Sequence, residues 1–290
     1  MNTEGLPLTL ALRGEIEDRM RAQRAAWGEQ TPSEYAFSNL YLFRHAHDYR
    51  YFPGPLPCVA GVTYDGARHV LPLFDPRLLA WRELAGVLGS HDCLFPIPAQ
   101  ALDGVDANKF CWDDSPADAD YFYPAENFRG YRGELLRKKR NLMQQLLAAH
   151  QVTARPLTDD TAADALAILD AWLRGKQKQP GEADDSACRE ALALRRHFGL
   201  DGLVYYADGL PAGFLLAQPF TPSVAVMRFA KGDDRYKGIY QYMFHHYCAA
   251  NSDLRWLNFE QDLGLPNFRQ TKRSYQPAAM LRKFRVRLRA

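Results

Sequence analysis

The order of the extended and helical segments in residues 152–288 is the feature that most constrains the fold of this chain. They alternate there as β-α-α-β-β-β-α-β-α-β, with a hairpin turn at Asp208-Gly209. Such an order predicts a mixed sheet with helices on both faces, in an α/β or α+β domain. Residues 33–120 also show a helical pattern and then a hairpin, which turns at Asp65-Gly66, and we interpret them as a divergent copy of the same unit.

These patterns divide the chain into an N-terminal domain of residues 1–120 and a C-terminal domain of residues 121–290. A basic helix at about 133–150 connects the two. The acidic segment DDSPADAD, at 113–120, is short in apolar residues and contains proline. It is therefore predicted to be a linker or an exposed loop between the domains.

Composition excludes several classes of protein. No apolar run reaches eighteen residues, so no transmembrane helix is predicted. The N-terminus lacks a basic n-region, which argues against a secretion signal. The five cysteines are odd in number and never spaced C-x-x-C, which favours a reducing compartment without disulfides or zinc. The adjacent or closely spaced histidines at 45, 47, 245 and 246 diverge on helices, so no metal site is predicted.

Charge is distributed unevenly along the chain. Residues 1–120 carry 17 Asp and Glu and 10 Lys and Arg, a net charge of −7, whereas residues 121–290 carry a net charge of +9. A basic half suggests binding to a polyanion, and solvated surface charge is the alternative. The clusters RKKR at 137–140 and RKFRVRLR at 282–289 favour the polyanion, although the second also reads as a charged edge strand.

One basic turn is the strongest candidate for a binding site. Lys231, Arg235, Lys237 and Gly238 lie between an apolar strand and a helix that begins near Ile239. Free amides at a helix start bind anions, and glycine lets the backbone approach a phosphate oxygen closely. The four residues are therefore predicted to bind phosphate, and a solvated turn is the alternative.

A second candidate group follows the predicted strand WLNFE. Glu260 and Asp262 are two residues apart, so they share one face if the extended run continues, and they are predicted to bind or deprotonate an amine. Capping or ion pairing is the alternative. Arg269 and Lys272 share one face of the next helix and are predicted phosphate ligands or solvated bases. Tyr275, at the end of that helix, is a candidate acid or orienting group, with a core role as the alternative.

The turn resembles the pyrophosphate loop of Gcn5-related N-acetyltransferases (GNAT), since Arg235 and Gly238 fit the pattern R-x-x-G-x-small. Tyr240 stands where that pattern has a small residue. Its ring would crowd the pyrophosphate of coenzyme A, which favours a different donor.

A wider resemblance covers nearly the whole chain. The segments 33–52, 120–146, 228–243 and 256–284 resemble the family related to the C-terminal catalytic domain of phosphatidylglycerol lysyltransferases. This resemblance implies two tandem GNAT-like domains, each with a mixed, mostly antiparallel sheet flanked by helices. It also implies transfer of an aminoacyl group from tRNA to a lipid or peptide acceptor.

We therefore expect a cytoplasmic aminoacyltransferase, with peripheral contact at the inner membrane face left open. Aminoacyl-tRNA is the expected donor, no cofactor is expected, and Lys138, Lys139 and Arg140 are predicted to contact the RNA backbone. The absence of a flippase portion leaves lipid, peptide and small-molecule acceptors open. Two other hypotheses remain: an acyl-CoA-dependent N-acyltransferase, and a non-catalytic module that binds RNA or lipid headgroups.

Overall fold

The computed structural model describes residues 5–289, which separate into two compact units. The first unit contains the described residues up to Asp120 and those from Leu281 onward, and the second runs from Tyr121 to Met280. The structure thus differs from the sequence-based division in the last segment of the chain, which returns to the first unit.

The described part of the first unit up to Asp120 contains short strands, two longer helices and one short helix. Their bounds are β1 Leu6–Pro7, α1 Arg13–Trp27, α2 Phe37–Leu42, β2 Arg50–Phe52, β3 Cys58–Val62, β4 Arg68–Pro72, α3 Trp81–Leu88, β5 Cys93–Pro98 and β6 Phe110–Asp114.

The second unit has longer strands and helices, and the chain then ends with one more strand. Their bounds are β7 Asp120–Pro124, α4 Glu126–Gly130, α5 Arg137–Ala149, β8 Val152–Pro156, α6 Asp159–Gly175, α7 Asp185–Phe198, β9 Asp201–Ala207, β10 Leu210–Thr221, β11 Val224–Gly232, α8 Ile239–Ala250, β12 Trp256–Asn258, α9 Pro266–Arg273, β13 Ala279–Leu281 and β14 Lys283–Leu288.

Within residues 5–289 the strands form two seven-stranded sheets. The first has the order β1-β2-β3-β4-β5-β14-β6 and the second has the order β13-β7-β12-β11-β10-β9-β8. Most neighbouring strands are antiparallel, and each sheet contains a parallel pair, β4 with β5 and β11 with β12. The predicted fold class, two mixed and mostly antiparallel sheets flanked by helices, is confirmed.

The structure overturns the interpretation of the C-terminal bases as an edge strand. β14 lies between β5 and β6 of the first sheet. Its bases and Arg282 pair with acids of the first unit: Arg282 with Asp114, Lys283 with Glu34 and Asp120, Arg285 with Asp65 and Asp118, and Arg287 with Asp113. These pairs also argue against a polyanion site on this strand.

The acidic segment at 113–120 is not an exposed linker. Asp118 and Asp120 are buried. Asp118 accepts hydrogen bonds from Tyr64 and Arg285, and Asp120 accepts one from the backbone amide of Ser33 and pairs with Lys283. Their charges are compensated inside the first unit, which is why an acidic sequence can lie in its interior.

The bounds of several helices and strands differ from those that the sequence predicts. The helical pattern that precedes the hairpin in residues 33–120 forms only the short helix α2, and the basic helix starts at Arg137 rather than near 133. Strand β7, with its aromatic sequence DYFYP, was not predicted, although it lies inside the second sheet. An aromatic run with both faces buried gives no alternating pattern that would reveal a strand.

The core of the second unit is rich in aromatic rings. Tyr123 on β7, Phe128 on α4, Phe244 on α8 and Phe259 after β12 form ring pairs with centroids 4.9–5.9 Å apart. Tyr275, after α9, packs on the Phe128 ring at 5.5 Å. This cluster packs α8 against the segments that follow β12 and α9, and these segments carry the candidate site residues Glu260, Asp262 and Tyr275.

Candidate functional site

The second sheet opens between the parallel strands β11 and β12. Their ladder ends at the pair Val226 and Asn258, where β12 stops, whereas β11 continues to Gly232. The chain then turns away at Glu260, whose φ of +57° is left-handed. The sheet therefore diverges towards the carboxyl ends of its parallel strands, where open α/β sheets bind ligands.

Glu260 spans this opening through an ion pair with Arg228 of β11. The two residues lie two positions beyond the last pair of the β11–β12 ladder, at the same offset along the two segments. The Arg228 side chain is only 1% exposed, so the carboxylate compensates a buried cation. The prediction that Glu260 binds a substrate amine stays a prediction, and such an amine would have to compete with this guanidinium.

Asp262 is fully buried, and its acceptor capacity is used. Its two oxygens accept hydrogen bonds from the Tyr121 hydroxyl at 2.7 Å, from Arg269 Nε and Nη2 at 2.9 and 3.2 Å, and from the Gly264 amide at 2.8 Å. Burial by itself raises the pKa of this carboxyl, but the donors, with Arg269 first, outweigh it and lower the pKa below its ordinary value. Asp262 is thus a weak base, and since the extended run ends at Asn258, it does not share a strand face with Glu260.

The two cations predicted on α9 point at the protein's own acceptors. Arg269 binds Asp262, and Lys272 Nζ donates to three carbonyl oxygens in the loop after β12, those of Phe259 at 2.6 Å, Glu260 at 3.2 Å and Gln261 at 2.6 Å. These contacts hold the loop that carries the carboxylates. Phosphate binding by either side chain stays a prediction.

Tyr275 is buried and linked to the first turn of α8. Its hydroxyl accepts a hydrogen bond from Gln241 Nε2 at 2.8 Å, and burial raises its pKa well above the ordinary value. The phenol therefore stays protonated. The contacts match the alternative of a core tyrosine, and its role as an acid stays a prediction.

The basic stretch of α5 lies beside Tyr275. Lys139 Nζ is 3.9 Å from the centroid of the Tyr275 ring, Arg140 donates to the carbonyl of Tyr131, and Lys138 is exposed. Among the residues that the structure describes, none of these three bases forms a salt bridge.

Gly238 brings the predicted phosphate turn against α5. Its φ is +101°, and a Cβ at this position would lie 2.2 Å from the carbonyl oxygen of Leu142. Both the backbone conformation and the close approach require glycine. Lys237, the residue before it, is exposed. Gly238 is therefore explained by packing, whether or not the turn also binds phosphate.

Part of the turn is already occupied by the protein itself. The Asp233 carboxylate accepts hydrogen bonds from the backbone amide and side chain of Arg235, and the amide of Gly232 donates to the Tyr240 hydroxyl at 3.0 Å. Lys231 is buried, with its ammonium 2.6 Å from Asp184 and 3.8 Å from the Trp172 ring centroid. Fewer amides and cations of this turn are therefore available to bind an anion than the sequence predicts.

The contacts join some of the predicted site residues and not others. Lys139 contacts Tyr275, Tyr275 contacts Gln241 at the start of α8, and α8 begins beside Gly238. Across the described residues, no hydrogen bond or ion pair connects the turn at 231–238 with Glu260 or Asp262. Tyr121 and Arg228 were missed from the sequence because each lies in an apolar strand, with no local motif around it.

Two further findings concern the described residues. None of their helices is both long and apolar enough to cross a bilayer. They also contain no group of three or more His, Cys, Asp or Glu side chains placed to hold a metal ion.

Comparison with protein families identifies the chain. Residues 26–287 match the model of the C-terminal domain of phosphatidylglycerol lysyltransferase. The chain belongs to this family. No curated protein is a significant sequence match for this phosphatidylglycerol lysyltransferase-type domain.

Solved structures share the fold at low sequence identity. A conserved protein of unknown function from Bacteroides thetaiotaomicron has a TM-score of 0.82 and 21% identity, over 98% of this chain and 99% of that one. The C-terminal domain of a putative lysylphosphatidylglycerol synthetase from Agrobacterium fabrum has a TM-score of 0.64 and 13% identity, over 96% of this chain and 93% of that one. L-PGS from Bacillus licheniformis has a TM-score of 0.62 and 11% identity, over 99% of this chain and 94% of that one. Membership of this phosphatidylglycerol lysyltransferase-type family, together with the fold, makes the protein an acyltransferase.

Proposed function

We propose that this acyltransferase takes an aminoacyl group from aminoacyl-tRNA and transfers it to a lipid acceptor. An aminoacyl ester is already activated, so the protein has to position donor and acceptor and manage one proton. The family match supports the donor class, because the family is named for lysyl transfer. We place the activity in the cytoplasm, at the membrane surface that carries the acceptor.

The observation that carries the proposal is a basic surface where α5 meets the start of α8. We call the group Lys138, Lys139, Arg140 and Lys237 the α5–α8 basic surface. Within the described part of the chain none of the four has a salt-bridge partner, whereas Lys231 and Arg235 in the adjoining turn are paired with Asp184 and Asp233. Uncompensated cations on neighbouring segments suit a polyanion such as the backbone of tRNA.

Tyr240 favours tRNA over coenzyme A as the donor. Its hydroxyl occupies the Gly232 amide, and its ring lies against Gly232 at the end of β11. Coenzyme A would need this part of the turn for its pyrophosphate in the GNAT-like arrangement.

Exposed apolar side chains beside the site favour a lipid acceptor. Leu263, Leu265 and Phe268, in the loop before α9 and its first turn, are 40%, 46% and 51% exposed. None of the residues of α9 is buried, and Arg273 at its end is exposed and basic. Apolar side chains with a nearby cation suit the surface of an anionic bilayer.

The direct test supplies purified protein with tRNAs charged with labelled amino acids and with vesicles of anionic phospholipid. We expect label to move into the lipid faster than the ester hydrolyses spontaneously. Coenzyme A should not raise the melting temperature. Stabilisation by coenzyme A without transfer from any tRNA would instead select the acyl-CoA hypothesis, and binding of tRNA without turnover would select the non-catalytic module.

The acceptor is tested separately with a triple variant. Leu263→Ser, Leu265→Ser and Phe268→Ser together should weaken binding to anionic vesicles by about tenfold or more, because about 1.4 kcal/mol of apolar burial is a factor of ten. The matched control is Leu6→Ser, Leu78→Ser and Leu210→Ser, which changes exposed apolar side chains elsewhere. Equal vesicle binding by the two triple variants would contradict a lipid surface at α9.

A further inference from the structure

Lys139 has an unusual setting for a surface-helix lysine. Its side chain is half-buried and its ammonium lies over the face of the Tyr275 ring at 3.9 Å. Lys138, the residue before it on α5, is also a cation. No carboxylate among residues 5–289 lies within salt-bridge distance of Lys139, so its charge is not compensated by an acid.

The groups around Lys139 are neutral or positive. Tyr275, from the end of α9, has its hydroxyl bonded to Gln241, and Tyr131, before α5, donates its hydroxyl to the carbonyl of Gln241. Tyr240 of α8 is close enough to Tyr275 to interact with it electrostatically. Burial raises the pKa of the phenols of Tyr131, Tyr240 and Tyr275, so that all three stay uncharged at neutral pH. Arg140, on α5 itself, binds the Tyr131 carbonyl.

Two opposing effects set the protonation of Lys139. Burial, followed by repulsion from Lys138, lowers its pKa to about 8. The ring face of Tyr275 favours the charged form and limits the fall. In a fraction of the molecules Lys139 is then a neutral amine near neutral pH, and its lone pair can accept a proton.

Lys139 also lies near the start of α8. It precedes Leu142 by about one helical turn, and the carbonyl oxygen of Leu142 contacts Gly238. Lys139 is thus beside the end of the helix where the donor's phosphate is expected to bind.

We propose that Lys139 is the proton acceptor of the transfer reaction, a role as a base that goes beyond its charge in the α5–α8 basic surface. The inference rests on the proposed function. The acceptor's hydroxyl or amine attacks the ester carbonyl and forms a new C–O or C–N bond, while the Lys139 amine takes the proton that the nucleophile loses. The bond from the carbonyl carbon to the ribose oxygen of tRNA breaks, and the Lys139 ammonium returns its proton to that oxygen.

Lys139→Arg separates a base from a phosphate ligand. Arginine keeps the charge and the ring contact but does not lose its proton. We expect this variant to bind tRNA within about twofold of the parent and to lose kcat by about 100-fold or more, the usual contribution of general base catalysis. The matched control is Lys109→Arg in the first unit, where Lys109 also lies near an aromatic ring, at 5.2 Å from Trp81, and kcat should not change.

Two further readings complete the test. In the parent, log kcat should rise with pH and level off above about 8, and Lys139→Arg should lose that rise. Labelling of Lys139 by an amine-reactive reagent, followed by mass spectrometry, should show a midpoint near 8 rather than the ordinary value of about 10.4. A midpoint above 10, or a Lys139→Arg variant with near-parental kcat, overturns the inference alone. A parent that transfers nothing from any tRNA overturns the proposed function instead.

Discussion

Lys283 Nζ lies 2.6 Å from an oxygen of Asp120 and 2.6 Å from an oxygen of Glu34, and its side chain is fully buried. One ammonium thus holds two carboxylates in the interior of the first unit. Because Lys283 belongs to β14, these contacts attach the end of the chain to residues more than 160 positions earlier in the sequence. The C-terminal strand β14 therefore contributes to the stability of the first unit.

Replacing Lys283 by methionine should destabilise the first unit strongly. The substitution leaves two buried carboxylates without their cation, and breaking a buried pair in this way costs about 3–5 kcal/mol. Urea unfolding followed by fluorescence measures the loss. Arg287→Met is the control, because its pair with Asp113 is partly exposed and should be worth less than about 1 kcal/mol. Similar losses in the two variants would contradict the buried pair's importance.

The stability of the first unit should also depend on pH through Glu34. Burial, partly opposed by Lys283 and reinforced by Asp120, raises the pKa of Glu34 from 4.5 to about 7. The folded state then holds a proton that the unfolded state has lost between those two values, so stability falls as pH rises from about 4.5 to 7. Glu34→Gln should remove this part of the dependence in urea titrations at a series of pH values. A Glu34→Gln curve that keeps the same slope would contradict the assignment.

The sequence predicted the class of fold because the strands and helices of the second unit are long and regular. It could not predict where β14 pairs. Alternating bases such as Arg285 and Arg287 give the same sequence pattern on a solvated edge strand as on a strand inside the sheet whose bases pair with acids. Once the five bases from Arg282 to Arg289 are counted with the first unit, its net charge becomes −2 and that of the second unit becomes +4. Most of the charge asymmetry is thus internal pairing, and only a smaller excess is left for a polyanion.

The sequence selected several residues of the candidate site but not the residues that contact them. Residue types were enough to select Glu260, Asp262 and Tyr275 as noteworthy, but not to find the partners Arg228 and Tyr121, which come from strands distant in sequence. Arg228 compensates the charge of Glu260, and Arg269 compensates that of Asp262, which also accepts a hydrogen bond from Tyr121. Lys139 was selected for its charge, whereas its position over a ring depends on the tertiary packing of α5 and α9.

Changing Tyr240 should alter donor selectivity. Tyr240→Ala removes the ring from Gly232 and frees the amide that its hydroxyl occupies. We expect the variant to gain binding to coenzyme A, measured by calorimetry, while the parent binds little. Tyr240→Phe is the control, because it loses the hydrogen bond but keeps the ring and should stay closed to coenzyme A. Equal affinity of parent and Tyr240→Ala for coenzyme A would show that Tyr240 does not exclude it.

Gly238→Ala should disturb the contact between α5 and α8. The new Cβ would meet the Leu142 carbonyl at 2.2 Å and would force alanine into a left-handed conformation. Each effect is unfavourable, and a loss of more than about 2 kcal/mol is expected. Gly175→Ala, at the end of α6, is the control, since its Cβ would meet nothing closer than 3.8 Å. Thermal melts compare the two, and a Gly238→Ala protein as stable as the control would refute the close approach.

The α5–α8 basic surface should determine how tRNA binding depends on salt. Each phosphate contact that is removed lowers the slope of log K against log salt by about 0.7–0.9. Lys138→Gln, Arg140→Gln and Lys237→Gln together should thus reduce the slope by about two to three and weaken binding at low salt. The control, Arg21→Gln, Arg82→Gln and Lys109→Gln, removes three exposed bases of the first unit and the same net charge. If both triple variants shift the slope equally, the protein attracts RNA through its total charge, and the α5–α8 basic surface is not where the donor binds.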